Sequence, residues 1–128
     1  MHDFLTVGAA APLQAAGAMA LGLPAAYFQG LASSYQKKRG RLLRMLDHAG
    51  FVCYLPRGAY YVMTDIAGFG FPDDVAFARH LVAEIGVAAV PGSSFYHHAE
   101  SGRTKLRFCF CKKEETFAAA EARLARLQ

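Results

Sequence analysis

The stretch KLRFCFCKK, residues 105–113, places a guanidinium among residues that belong in a protein core. In an extended strand side chains alternate, so Leu106, Phe108 and Phe110 share one face while Lys105, Arg107, Cys109 and Cys111 share the other. Cysteine is among the most buried residue types, so the second half of this strand is expected to be apolar on both sides. Arg107 then stands where the strand enters a covered sheet. A guanidinium at such a point requires a carboxylate or phosphate, because stripping water from an unpaired charge costs several kcal/mol.

A second stretch, VPGSSFY at 90–96, supplies complementary chemistry. Pro91-Gly92 turns the chain sharply out of a strand, and Ser93, Ser94, Phe95 and Tyr96 then offer hydroxyls and aromatic surfaces. If strands 87–90 and 104–111 pair, this loop and Arg107 are neighbours, and together they suit a small carboxylate with a side chain to enclose. The competing arrangement pairs Arg107 with an internal acid such as Asp65 or Glu100.

Other reactive groups carry less. His97 and His98 with Cys109 and Cys111 contain zinc-capable atoms, but neither a C-x-x-C nor an H-x-x-x-H spacing is present, and no metal is expected. SYQK at 34–37 matches S-x-x-K but lacks the companion motifs of serine acyl-enzymes. Cys53 sits between Val52 and Tyr54 in an apolar run, where a thiol is ordinarily inert. Neither G-x-G-x-x-G nor a P-loop occurs, so the sequence contains no complete catalytic set.

These groups belong to a chain of 128 residues, 54% hydrophobic with a net charge of +4, which is the size of one globular domain. Its basic clusters, KKRGR at 37–41 and CKK at 111–113, are short and carry no nucleic-acid-binding signature, so no nucleic-acid partner is expected. Three cysteines without framework spacing indicate a reducing, cytoplasmic setting. No stretch has the length and apolarity of a membrane span, and the N-terminus lacks a signal-peptide pattern.

Periodicity places the elements. An alanine-rich helix over 12–23 is followed, after Gly22-Leu23-Pro24, by a second helix that Gly50 closes; Leu31, Tyr35, Leu42, Leu46 and Ala49 form its apolar side, and Gly40 is a point of kinking or fraying. FVCYLPRGAYYVMTDI reads as two strands around a Pro56-Arg57-Gly58 turn. A helix begins at Asp73-Asp74, buries Val75, Ala78, Leu81, Val82 and Ile85, and ends at Gly86. A brief buried strand, VAAV, a strand over 104–111 and a helix over 114–127 follow. The expected fold is α+β, a small mixed or antiparallel sheet covered by helices in the order ααββαββα, forming a single domain over residues 1–128.

The succession HDFLTVGAAAPLQ, PRGAYYVMTDI, VAAVPGSSFY and LRFCFCKKEET closely resembles the C-terminal part of class I/II aminotransferases of the pyridoxal-phosphate (PLP) fold type I superfamily, of the aspartate and kynurenine aminotransferase-like branches. The resemblance implies the small C-terminal domain of such an enzyme. It implies that Arg107 grips the substrate α-carboxylate in two-point fashion and that Ser93, Ser94, Phe95 and Tyr96 border the substrate, an amino acid or 2-oxo acid. The segment matching DFLTVGA is then expected near a dimer interface, with a homodimer or self-association as the assembly. The Schiff-base lysine, the aspartate for the pyridine nitrogen and the phosphate-binding residues belong to upstream sequence, since Lys37, Lys38, Lys105, Lys112 and Lys113 lie in no matching context. PLP is therefore expected in a full-length parent and not on these 128 residues, which alone should not transaminate. Two alternatives stay open, a non-catalytic carboxylate-binding module and a dimerisation module.

Overall fold

A computed structural model gives the fold of residues 8–127; residues 2–7, which carry part of the first resembling segment, lie outside the described residues. The chain divides into two compact units, one up to Ser33 and one from Ser34 onward.

The first unit is built by alanine, the best helix former. Helix α1, Ala11–Leu21, carries a proline in its first turn, where the missing N–H has no intrahelical partner to lose. Gly22 ends it by returning its amide to Met19 O at 3.0 Å. Helix α2, Ala25–His48, begins in this unit. No residue of α1 is buried, and Leu13, Met19, Leu21, Tyr27, Phe28 and Leu31 are all exposed.

The second unit holds the core. The later part of α2 buries Leu42, Met45 and Leu46, and Ala49 just past its end continues the stripe at i, i+3, i+4 and i+7. The helix continues through Gly40 without interruption, so the fraying expected there does not occur. Packing on either side, through Tyr35 and Leu42, outweighs a propensity cost of about 1 kcal/mol. Leu31, expected on the apolar side, is exposed.

Four short strands follow: β1, Val52–Tyr54; β2, Tyr61–Asp65; β3, Val90–Pro91; and β4, Lys105–Cys109. They form one antiparallel sheet in the order β1-β2-β4-β3. The alternation of the central pair decides the two faces. Val62, Thr64, Leu106 and Phe108 point into the core, and the buried Thr64 hydroxyl donates to Leu106 O at 3.2 Å. Tyr61, Met63, Asp65, Lys105 and Arg107 lie on the opposite face, half-buried. The architecture is therefore mixed α/β, a small antiparallel sheet with helices packed on it.

Helix α3, Asp74–His80, is capped by Asp73, whose carboxylate accepts from Ala76 N at 2.7 Å, and it runs into a wider turn over Leu81–Ile85. Its inward stripe is Asp74, Phe77, Ala78, Leu81 and Ile85. Val75 and Val82, expected inside, are exposed, because Phe77 occupies the centre of an aromatic cluster with Phe51, Phe69 and Phe71 and so fixes the rotation of the helix. Gly50 and Gly86 both have left-handed φ, 90° and 79°, and each ends its helix as the sequence predicts.

Helix α4, Glu114–Leu124, buries Phe117 and Leu124 and passes into a short turn over Ala125–Leu127. Arg41 of α2 bridges to Glu114 and Glu121 of α4 and lies over the Phe117 ring.

Two expectations about the last strands need correction. The segment 87–90 is not a buried strand: only Val90 pairs, alongside Pro91, and Val90 is exposed although Val87 is buried. β3 is an edge strand, and a proline without an N–H donor stops its ladder. Cys109 and Cys111 are exposed rather than packed, because their side of the sheet is left uncovered at this end by the described residues.

Candidate functional site

Arg107 lies in β4, on the half-buried face, paired across the sheet with Met63 of β2 and Val90 of β3. Its guanidinium carbon lies over two rings, 4.2 Å from the centre of Phe95 and 4.9 Å from that of Tyr61. Stacking of this kind holds a guanidinium through its π-face and leaves the N–H donors at its edge unspent. Among the described residues no carboxylate forms an ion pair with Arg107. No buried side-chain nitrogen or oxygen there lacks a hydrogen-bond partner either, so the unpaired edge of Arg107 is in contact with solvent.

The internal acids that compete for Arg107 are engaged elsewhere. Asp65 accepts from Tyr54 Oη at 3.3 Å, from Thr104 Oγ1 at 3.3 Å and from Ala67 N at 2.9 Å, with Lys105 Nζ 3.9 Å away. Glu100 pairs with Arg103 at 3.3 Å.

The loop reaches Arg107 through the β3–β4 register, which sets Val90 opposite Arg107 and Pro91 opposite Leu106. Pro91 leads into a 3-10 turn over Gly92–Phe95, and that turn carries Phe95 onto the guanidinium. Of the four loop residues singled out from sequence, Phe95 touches Arg107. Ser93 is half-buried, and its amide donates to the Asp74 carboxylate at 2.7 Å. Ser94 and Tyr96 are exposed, and no hydrogen bond joins their hydroxyls to Arg107. Sequence reasoning missed Tyr61 and Asp74. Tyr61 shares the outer face of β2, a signal readable only once the register with β4 is known; Asp74 reads as a helix-start acid and gives no sign of its loop contact.

A cleft of about 440 Å³ opens between α2, α4, the segment 86–90 and β4. Its lining is apolar, with Leu42, Phe108 and Phe117, and it carries the cations Arg107, Lys112 and Arg123. Neither Phe95 nor Tyr61 lines it, so the aromatic contacts of Arg107 lie outside this cleft. Arg123 donates to Gly86 O at 2.7 Å and is thereby spent on closing the end of the preceding helical turn. Among the described residues no group of three or more His, Cys, Asp or Glu side chains could hold a metal ion, and no helix is long and apolar enough to cross a membrane.

The fold matches known structures over nearly its whole length. N-succinyldiaminopimelate aminotransferase from Mycobacterium tuberculosis superposes with a TM-score of 0.88 at 33% identity, covering 98% of this chain and 33% of that one. The Escherichia coli protein YbdL, described as having a methionine aminotransferase function, superposes with a TM-score of 0.82 at 34% identity, covering 98% and 33%. The sequence model for aminotransferase class I and II matches residues 1–123. A kynurenine–oxoglutarate transaminase of Dictyostelium discoideum is 34% identical over 147 residues, covering 99% of this chain and 34% of that protein. The chain belongs to the class I and II aminotransferase family, whose members depend on PLP and act on amino acids and 2-oxo acids. It spans about one third of the length of the relatives it matches.

Neither Lys105 nor Lys112 fits the cofactor as its Schiff-base lysine. A lysine that forms a Schiff base needs an enclosed pocket with a partner for the pyridine nitrogen. The cleft that holds Lys112 is lined by no carboxylate, and Lys105 is set against Asp65 and the Tyr54 ring.

Proposed function

We propose that these 128 residues are the substrate-carboxylate-binding part of a PLP-dependent aminotransferase, folding as its small domain, with Arg107 as the clamp. A transaminase must hold its amino acid so that the bond from Cα to hydrogen stands perpendicular to the cofactor ring, and a planar two-point grip on the α-carboxylate sets that orientation better than a point charge does. The observation that carries the reading is the state of Arg107: stacked on Phe95 and Tyr61, without an ion-pair acid among the described residues, its donor edge open to solvent. Ser93, Ser94, Phe95 and Tyr96 border the substrate in this reading, with Phe95 at the guanidinium. Proton transfer at Cα and cofactor binding fall to residues outside this sequence, so these residues alone bind a carboxylate and do not transaminate. A cytoplasmic location and a homodimeric assembly complete the proposal; the exposed apolar side chains of the first unit support the assembly.

The test is a calorimetric titration of the chain with 2-oxoglutarate. Weak, saturable binding that Arg107→Ala abolishes is expected; binding that survives this substitution removes Arg107 from the role.

A further inference from the structure

We propose that Asp74 is the positioning residue for Arg107, acting through the turn at 92–95; the proposal rests on the reading of Arg107 as a carboxylate clamp. Asp74 is the first residue of α3 and is 2% exposed. A carboxylate so deeply buried is costly unless hydrogen bonds hold it. One of its oxygens accepts the Ser93 amide at 2.7 Å, a contact between α3 and the loop across nineteen positions of sequence. Cap duty at this helix end belongs to its neighbour Asp73, which takes the Ala76 amide, so α3 does not need Asp74 for its own start.

The opposite side of the same turn is fixed by contact between two glycines. A Cβ placed on Gly92 would meet Gly102 O and Lys105 Cβ, each at 2.6 Å, and a Cβ on Gly102 would collide with the backbone of Gly92 and Ser93. Gly92 and Gly102 are both buried. The turn is therefore pinned from two directions, by the Asp74 carboxylate on one side and by the backbone at Gly102 on the other. Two residues beyond Ser93, the turn delivers Phe95 to within 4.2 Å of the Arg107 guanidinium. Phe95 itself is 46% exposed, so burial alone does not hold its ring in place. The bond from the half-buried Ser93 amide to the buried Asp74 carboxylate is what converts a surface loop into a fixed wall beside the clamp. Without it the Ser93 amide loses its partner, the turn relaxes, and the guanidinium loses the ring that restricts its rotation before a carboxylate arrives.

The experiment compares the wild-type chain with Asp74→Ala, Asp74→Asn and Gly102→Ala by nuclear magnetic resonance. Three readouts are taken: the ring-current displacement of the Arg107 side-chain protons, affinity for 2-oxoglutarate, and the amide shifts of Val62 and Leu106 as a check that the core is intact. Asp74→Ala is expected to abolish the part of the Arg107 displacement due to Phe95 and to weaken 2-oxoglutarate about tenfold. Asp74→Asn keeps an oxygen that accepts from Ser93 and restores both. Gly102→Ala disturbs the turn from the other side and reproduces the Asp74→Ala result. If Asp74→Ala disrupts the core, an amide-to-ester replacement at Ser93, which removes the N–H that Asp74 accepts and keeps the Asp74 side chain, is expected to give the same loss, and wild-type shifts and affinity there overturn the role of Asp74. Wild-type Arg107 shifts and wild-type affinity in Asp74→Ala overturn the role of Asp74 alone. A wild-type chain that fails to bind 2-oxoglutarate overturns the clamp reading itself, and the positioning role with it.

Discussion

The guanidinium carbon of Arg107 lies 4.2 Å from the centre of the Phe95 ring, joining the edge strand's turn to the penultimate element of the fold. An exposed ring over a guanidinium contributes about 0.5–1 kcal/mol, and its benefit to binding is that the cation is held in place beforehand. Phe95→Leu is expected to weaken 2-oxoglutarate about threefold and to leave folding stability within about 0.5 kcal/mol of wild type, as for exposed positions generally. Paired titrations and urea unfolding measure the two effects. A destabilised domain with unchanged affinity would make Phe95 structural.

The three thiols should separate by environment. Burial, with the nearby Asp47 charge adding to it, pushes the Cys53 thiol from its ordinary 9.0 up to about 11, whereas Cys109 and Cys111 are exposed. At pH 8 iodoacetamide should label Cys109 and Cys111 first and Cys53 only slowly, as read by mass spectrometry. Because folding raises the Cys53 pKa, its contribution to stability is fully present below pH 9 and declines as the pH rises towards 11. Cys53→Ser should flatten that part of the melting-temperature profile; an unchanged slope would assign it to other groups.

Two substitutions in α3 test which face it buries. Phe77 is fully buried among Phe51, Phe69 and Phe71, so Phe77→Ala should cost about 3–5 kcal/mol in denaturant unfolding. Val82 is 57% exposed, and Val82→Ala should change stability by no more than about 0.5 kcal/mol. A large loss at Val82 would mean a different rotation of the helix.

The exposed Leu13, Met19, Leu21, Tyr27, Phe28 and Leu31 predict concentration-dependent self-association. Sedimentation equilibrium should show it, and changing Met19, Tyr27 and Leu31 together to serine should reduce it. A monomer at all concentrations would contradict the proposed assembly.

Much of this was legible in sequence because local rules and tertiary packing agree. Alternation in KLRFC gives the two faces of β4, glycines mark the ends of α2 and of the wider turn that continues α3, and the PG turn beside the final strand puts Phe95 at Arg107. What stayed hidden depends on partners that periodicity does not name. Asp74 looks like half of an acidic helix start, and only the fold shows its carboxylate under Ser93 N. Tyr61 becomes a neighbour of Arg107 through the β2–β4 register. Cys109 and Cys111 misled because burial statistics for a residue type say nothing about which side of a particular sheet is covered. Val75 and Val82 misled because apolar residues flank the true stripe on both sides, and one phenylalanine decides the rotation.

The central claim concerns one cation and the anion it is built to receive, and the Arg107 Nε–Hε resonance reports on it directly. Titration with 2-oxoglutarate should move this resonance downfield in a saturable way, as a charge-assisted hydrogen bond forms, while the uncharged dimethyl ester should leave it in place. An Nε–Hε resonance that stays unmoved by the acid, or that responds equally to acid and ester, would contradict the assignment of Arg107 as the carboxylate clamp.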